Sequence, residues 1–153
     1  MVHNNFHNFW TNHNNPMPRQ SERVGRSGEY LVASLLSLHA DTVVIVPHSA
    51  EADIIFDVDH TLYKCQVKTQ SKIQNCRVSW IYDFRRGAYT KERFYSEDAI
   101  DVYALVALKH QTVNFMFPND LKQISFKDED VQAWDTLKNT KDLFKELRCQ
   151  QTL

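Results

Sequence analysis

The chain has 153 residues, 42% of them hydrophobic, with a net charge of -1, enough apolar content for one compact domain that buries its own core. Its three cysteines, Cys65, Cys76 and Cys149, form no CxxC pair, which excludes a zinc knuckle or disulfide scaffold and points to reduced thiols in a cytoplasmic protein. No apolar run approaches the roughly 18 residues of a membrane span, and no signal-peptide layout opens the chain, so no membrane partner is expected.

Residues 1–20 are rich in Asn and His, hold Pro16 and Pro18 and show no period that would bury a face; they read as a flexible arm preceding a single domain at 21–153. His3, His7 and His13 have no carboxylate or thiolate companions for a metal. From Gly28 the run GEYLVASLLSL predicts a helix buried on much of its circumference through Tyr30, Leu31, Ala33, Leu35, Leu36 and Leu38, with Ser27 as N-cap. Three β-rich runs follow, Thr42 to Pro47, Ala52 to Val58 and Thr61 to Thr69, with turn-forming breaks between them. Residues 70–100 are irregular and basic, with a strand expected near Val78 to Tyr82. Asp101 to Leu108 and Val113 to Pro118 read as a core strand and its neighbour, and Glu129 to Leu147 has helical spacing, with Trp134 in the core. The expected order is αβββ(β)ββα, an α/β fold with a mixed central sheet flanked by helices.

The charge is unevenly distributed: residues 1–63 carry a net -4, residues 64–93 a net +6 and residues 94–153 a net -3. Lys64, Lys68, Lys72, Arg77, Arg85, Arg86, Lys91 and Arg93 make up the basic stretch, with Trp80, Tyr82 and Tyr89 among them. Cations interleaved with rings suit phosphate contact with some stacking, which would make about 70–95 a DNA-facing insert, and equally suit a solvated charged surface, since only clustering on one face makes a patch.

Within TLYKCQVKT, the side-chain period of two puts Lys64, Gln66 and Lys68 on one face and Tyr63, Cys65 and Val67 on the other. If Asp53 lies on the antiparallel partner strand, its carboxylate sits beside Gln66 and Lys68. A hard cation such as Mg2+ then has Asp53, the Gln66 side-chain oxygen and the Val67 carbonyl as ligands, and Lys68 positions or polarises the attacking water.

These residues carry a resemblance. The helix GEYLVASLLSL, then VP, ADIIF and QVKT, resembles the PD-(D/E)xK nuclease superfamily, and most of all the group I intron homing endonucleases of that type. The pattern is a helix glutamate, an aspartate opening a strand, then an acid or glutamine, any residue, and lysine; Glu29, Asp53, Gln66 and Lys68 match it. DVYALVALKHQTVNFMFP is similar to the strand pair found downstream in that branch, so the likeness spans roughly residues 25–118. Ala52 stands where a proline is common, and neutral Gln66 stands where glutamate is usual, as it does within the branch.

The resemblance implies a restriction-endonuclease-like core, site-specific hydrolysis of double-stranded DNA with Mg2+ (Mn2+ able to substitute), and Glu29 as a further catalytic and metal-shell residue. Lys64, Lys72, Arg77, Arg85, Arg86, Lys91 and Arg93 would contact DNA. A domain this small spans few base pairs, so a homo-oligomer, dimer or tetramer, is expected, and a virus or mobile-element origin would suit the likeness. Two related alternatives are a Holliday junction resolvase and a catalytically inactive DNA-binding protein. A third comes from FDVDHTL, which resembles the DxDxT motif of haloacid dehalogenase-like phosphatases, with Asp57 as nucleophile and Asp59 as acid/base. It lacks the alternating helices and parallel strands of such a core, and Asp59-His60 reads better as a hairpin turn.

Overall fold

The structure, a computed structural model, describes residues 18–47, 50–73, 79–85, 95 and 98–152. Helix α1 (Pro18–Leu36) is followed by β1 (Val43–Ile45), β2 (Ile54–Val58) and β3 (Thr61–Gln70), then β4 (Ser79–Asp83), β5 (Val102–Ala107), β6 (Thr112–Met116), β7 (Gln123–Lys127), α2 (Asp128–Gln132) and α3 (Thr136–Gln151). Five strands form a mixed sheet in the order β1-β2-β3-β5-β6, while β4 and β7 pair as a separate antiparallel ribbon.

The meander expected from the three β-rich runs is present. β1, β2 and β3 pair antiparallel, and Val58 and Thr61 flank a two-residue turn. Asp59 and His60 in that turn have φ of 47° and 69°, the left-handed pair that matches the twist of a hairpin. β3 then pairs parallel with β5, from Cys65↔Val102 to Gln70↔Ala107, and β5 pairs antiparallel with β6. A parallel partner requires a long crossover, and the basic stretch with β4 supplies it.

β5 is buried along its whole length, so its alternate residues serve two cores. Val102, Ala104 and Val106 join Ile54, Phe56, Cys65 and Val67 under the helices, whereas Tyr103, Leu105 and Ala107 join Trp80, Tyr82 and Phe84 under the ribbon. The sheet is thus a middle layer between α1 with α3 on one face and β4-β7 with α2 on the other. Phe144 of α3 packs against Phe56 with ring centroids 5.6 Å apart; truncating a ring so placed costs on the order of 3–5 kcal/mol. Trp134 is half-buried against Phe126 and Tyr82, at 5.2 and 6.3 Å, as expected for a core residue. Among the described residues no helix is long and apolar enough to cross a membrane.

Several boundaries differ from the sequence reading. α1 begins at Pro18, inside the expected arm, and runs through Ser27, whose hydroxyl donates to the Arg23 carbonyl at 2.7 Å rather than capping; residues 1–17 lie outside the described ones. Its buried stripe is Gly28, Glu29, Val32, Leu35 and Leu36, and Tyr30 and Leu38 are exposed. The expected helix at Glu129 to Leu147 is two helices, because Asp135 leaves helical geometry and accepts the Lys138 N–H at 3.0 Å as the N-cap of α3.

Gly28 marks a close approach of α1 to the sheet. A Cβ there would stand 1.9 Å from Thr69 Oγ1, and that hydroxyl is buried with no hydrogen-bond partner among the described residues. We therefore expect Gly28→Ala to lower stability by about 2–3 kcal/mol through overpacking. Thr69→Ala should cost little by itself and return part of that loss in the double variant. Urea melts of the four proteins provide the cycle, and strictly additive losses would mean that α1 does not rest on Thr69.

Candidate active site where β2 leaves β3

The ladder between β2 and β3 runs from Val58↔Thr61 to Ile54↔Cys65. Its last backbone bond is from Asp53 N–H to the Cys65 carbonyl, 3.0 Å. Beyond it a side chain replaces the backbone: Asp53 Oδ2 accepts the Val67 N–H at 2.7 Å and also a hydrogen bond from Gln66 Nε2. β3 is meanwhile held at its other edge by β5 as far as Gln70. A strand residue directs its N–H and C=O to the same edge, so the Val67 carbonyl faces the side that β2 has left. Asp53, Gln66 and Val67 are thereby gathered at one opening in the sheet.

Period two also places Lys64, Gln66, Lys68 and Gln70 on the face toward the ribbon, and each finds a partner there or at the sheet end. The Lys64 ammonium donates to the Asp98 carbonyl, and its backbone exchanges bonds with Asp101. Gln70 Nε2 donates to the Ile81 carbonyl of β4 at 2.9 Å. Lys68 Nζ donates to the Tyr95 hydroxyl at 2.9 Å and, weakly, to the Arg85 carbonyl at 3.4 Å. Burial pulls the Lys68 ammonium down to about 8, against the opposing pull of Asp53 and Asp83. The neighbouring Cys65 thiol, fully enclosed and close to Asp53, is driven far above the ordinary thiol range, so it takes no part as a nucleophile.

Among the described residues, Asp83, Arg85 and Tyr95 also lie around Lys68. Asp83 accepts the Arg85 backbone N–H at 2.8 Å and binds its guanidinium through both oxygens. That hydrogen bonding holds its carboxyl below the usual range. Arg85, expected as a phosphate contact, therefore has part of its charge committed within the protein. Lys72 is exposed just beyond β3, while Arg77, Arg86, Lys91 and Arg93 lie outside the described residues. Glu29 is 8% exposed on α1, and no hydrogen bond or ion pair joins it to Asp53, Gln66 or Lys68 among the described residues.

The two aspartates of FDVDHTL serve the scaffold. Asp57 is buried and accepts the Thr42 N–H at 2.7 Å. Asp59 lies in the hairpin turn and pairs with Arg148 at 3.0 Å. Neither faces the opening beside Asp53. A cavity of about 820 Å³, with Tyr63, Phe84, Tyr95, Tyr103, Asp98 and Asp101 in its wall, adjoins the site at Tyr95 without including Asp53, Gln66 or Lys68.

Among the described residues no group of three or more His, Cys, Asp or Glu side chains is gathered for a metal. What the opening offers is one carboxylate, one side-chain amide and one backbone carbonyl. Oxygen donors of this kind fit a hard cation such as Mg2+, which commonly takes one or two carboxylates and completes its shell with water and phosphate. Gln66 presents nitrogen to Asp53, so its amide would have to turn over to offer Oε1.

No protein-family model and no curated protein sequence matches the chain. Among solved structures it is similar to that of a bacterial homing endonuclease, I-Ssp6803I, with a TM-score of 0.62 and 16% identity over 86% of this chain and 96% of the other. At that identity the likeness is one of fold: this chain has the mixed, helix-flanked sheet of an endonuclease structure, nearly end to end.

Proposed function

We propose that this chain is a metal-dependent DNA endonuclease of PD-(D/E)xK type that hydrolyses phosphodiester bonds at specific sites, as a homing endonuclease does. The observation that carries the reading is the opening at Asp53, where β2 leaves β3 and the Asp53 carboxylate meets Gln66 and Val67 with the Lys68 ammonium on the same face. The fold shared with a bacterial homing endonuclease supports it.

Hydrolysis needs an aligned water, compensation of charge on the phosphate oxygens and help for the departing 3' oxygen. Mg2+ bound at Asp53, the Gln66 amide and the Val67 carbonyl would supply charge compensation and lower the pKa of a bound water. Asp53 holds its carboxylate in place by accepting the Val67 N–H, and so needs no further reorganisation at the moment of reaction. Lys68 presents a positive charge and hydrogen-bond donors from the adjacent position on the strand face, suited to orienting the attacking water. Lys64 and Lys72, with the basic residues between β3 and β5, provide the phosphate contacts. Site-specific recognition calls for two or four copies around the double-stranded DNA.

Supercoiled plasmid and long genomic DNA incubated with Mg2+, Mn2+ or EDTA should give discrete fragments only with metal. Asp53→Asn and Lys68→Ala should each slow cleavage by roughly 10²–10⁴-fold. DNA binding retained with no cutting by the wild type would instead indicate a clamp. Preference for four-way junctions over linear duplex would indicate a resolvase.

A lysine kept for chemistry in a partly desolvated place should burden the fold, and pH reveals this. The metal-free native state releases the Lys68 proton near 8, the unfolded chain near 10.5. Between those values the unfolded state binds more protons, so wild-type stability rises with pH by about 1–3 kcal/mol. Lys68→Met should lack that rise. Parallel urea melts from pH 7 to 10.5 in EDTA check it, and identical profiles would mean that Lys68 is solvated.

A further inference from the structure

The fold supplies the lysine's holder from a segment far from the strand that bears it. Tyr95 lies beyond the basic stretch, yet its hydroxyl accepts from Lys68 Nζ at 2.9 Å while the ammonium is 5.0 Å from the ring centroid. Those two distances put the ammonium at the hydroxyl's lone pair rather than over the ring face. The tyrosine is itself keyed to the core. Its ring meets Tyr103 edge-on at 6.2 Å, and Tyr103 packs on Phe84 at 4.7 Å and lies opposite Gln66 in the β3–β5 register.

A lysine has four rotatable side-chain bonds, and the strand alone does not decide where its ammonium stands. Among the described residues two acceptors decide it: the Tyr95 hydroxyl and, more weakly, the Arg85 carbonyl just beyond β4. The carbonyl sits beside the Asp83–Arg85 pair, which fixes that end of the ribbon. Resting on the nuclease reading, we propose that Tyr95 is a positioning residue that sets the Lys68 ammonium relative to Asp53 and the opening beside it. The tyrosine does not exchange protons with substrate. It removes the freedom of the group that orients the water.

Positioning of this kind appears in the cleavage step and not in DNA affinity. In the full chain, Tyr95→Phe keeps the ring and loses the acceptor, and Tyr95→Leu loses both. Single-turnover cleavage at saturating DNA should slow roughly tenfold in the first and roughly a hundredfold in the second, the scale expected when a catalytic group is misplaced. The dissociation constant, measured with Ca2+ in place of Mg2+, should stay within about twofold of wild type, since only transition-state interactions are lost. A second readout needs no cleavage at all: acetylation of Lys68 by acetic anhydride, followed by peptide mass spectrometry on DNA-free protein, should be severalfold faster in both variants.

Wild-type cleavage rates together with unchanged acetylation would overturn the assignment. So would equal losses in rate and affinity, which would make Tyr95 a DNA contact. If wild-type protein cuts no DNA, the nuclease reading fails, while the acetylation rates still report whether Tyr95 holds the ammonium. Tyr95→Phe preserves the packing on Tyr103, so a folding defect in Tyr95→Leu leaves the test intact.

Discussion

The structure turns on one substitution of a side chain for a backbone group. β2 and β3 pair as an ordinary antiparallel ladder until Asp53, whose carboxylate takes the Val67 N–H that the next backbone carbonyl would have taken. An unpaired strand N–H in this half-buried place would cost about 1–3 kcal/mol. A carboxylate satisfies it with a charge-assisted bond, so the two strands can part without that loss. They can part only because β3 has a second partner: β5 holds its other edge through six registered pairs. The parallel β3–β5 pairing, with its long crossover, is therefore as much a part of the site as Asp53.

The opening forces a second arrangement. Lys64, Gln66, Lys68 and Gln70 share a face that a sheet in mid-molecule must cover, and covering polar side chains without partners is expensive. The β4-β7 ribbon covers that face and offers backbone carbonyls, Ile81 to Gln70 and Arg85 to Lys68. Two strands alone are marginal in water. This pair is held by Trp80, Tyr82, Phe126 and Trp134, and by Asp128, whose Oδ1 lies 2.7 Å from both Trp80 Nε1 and His110 Nε2. His110 belongs to the β5–β6 turn, so one carboxylate ties the ribbon to the central sheet.

What could be read from the sequence follows from the range of each signal. Asp53, Gln66 and Lys68 were legible because strand period and hairpin register are local: thirteen positions with a two-residue turn at Asp59-His60 bring Asp53 to Gln66. The buried half of α1 was legible for the same reason, although its stripe was misassigned at Tyr30 and Leu38. Its first turns were not, since residues 20–23 are exposed and polar and leave no apolar period. β7 is five residues with only Ile124 and Phe126 partly covered, too short a pattern to stand out beside α2. Asp83 and Tyr95 were missed because only tertiary packing brings them to Lys68. Arg85, expected as a phosphate contact, also pairs with Asp83 two residues before it.

The neutral residue at position 66 has a physical consequence for a site of this kind. Two carboxylates at hydrogen-bond distance repel, and in the absence of a cation one of them must gain a proton or move away. Gln66 instead donates to Asp53, so the two side chains are joined by a hydrogen bond next to a cationic lysine. That arrangement spares the opening between β2 and β3 a like-charge repulsion. Under the proposed function, Gln66 would have to give up this bond and turn its amide oxygen, a weaker ligand than a carboxylate oxygen, toward a cation. Metal affinity would then lean on Asp53, the Val67 carbonyl and the phosphate of the proposed DNA substrate. Under that function, a full oxygen shell would form only with the substrate phosphate in place.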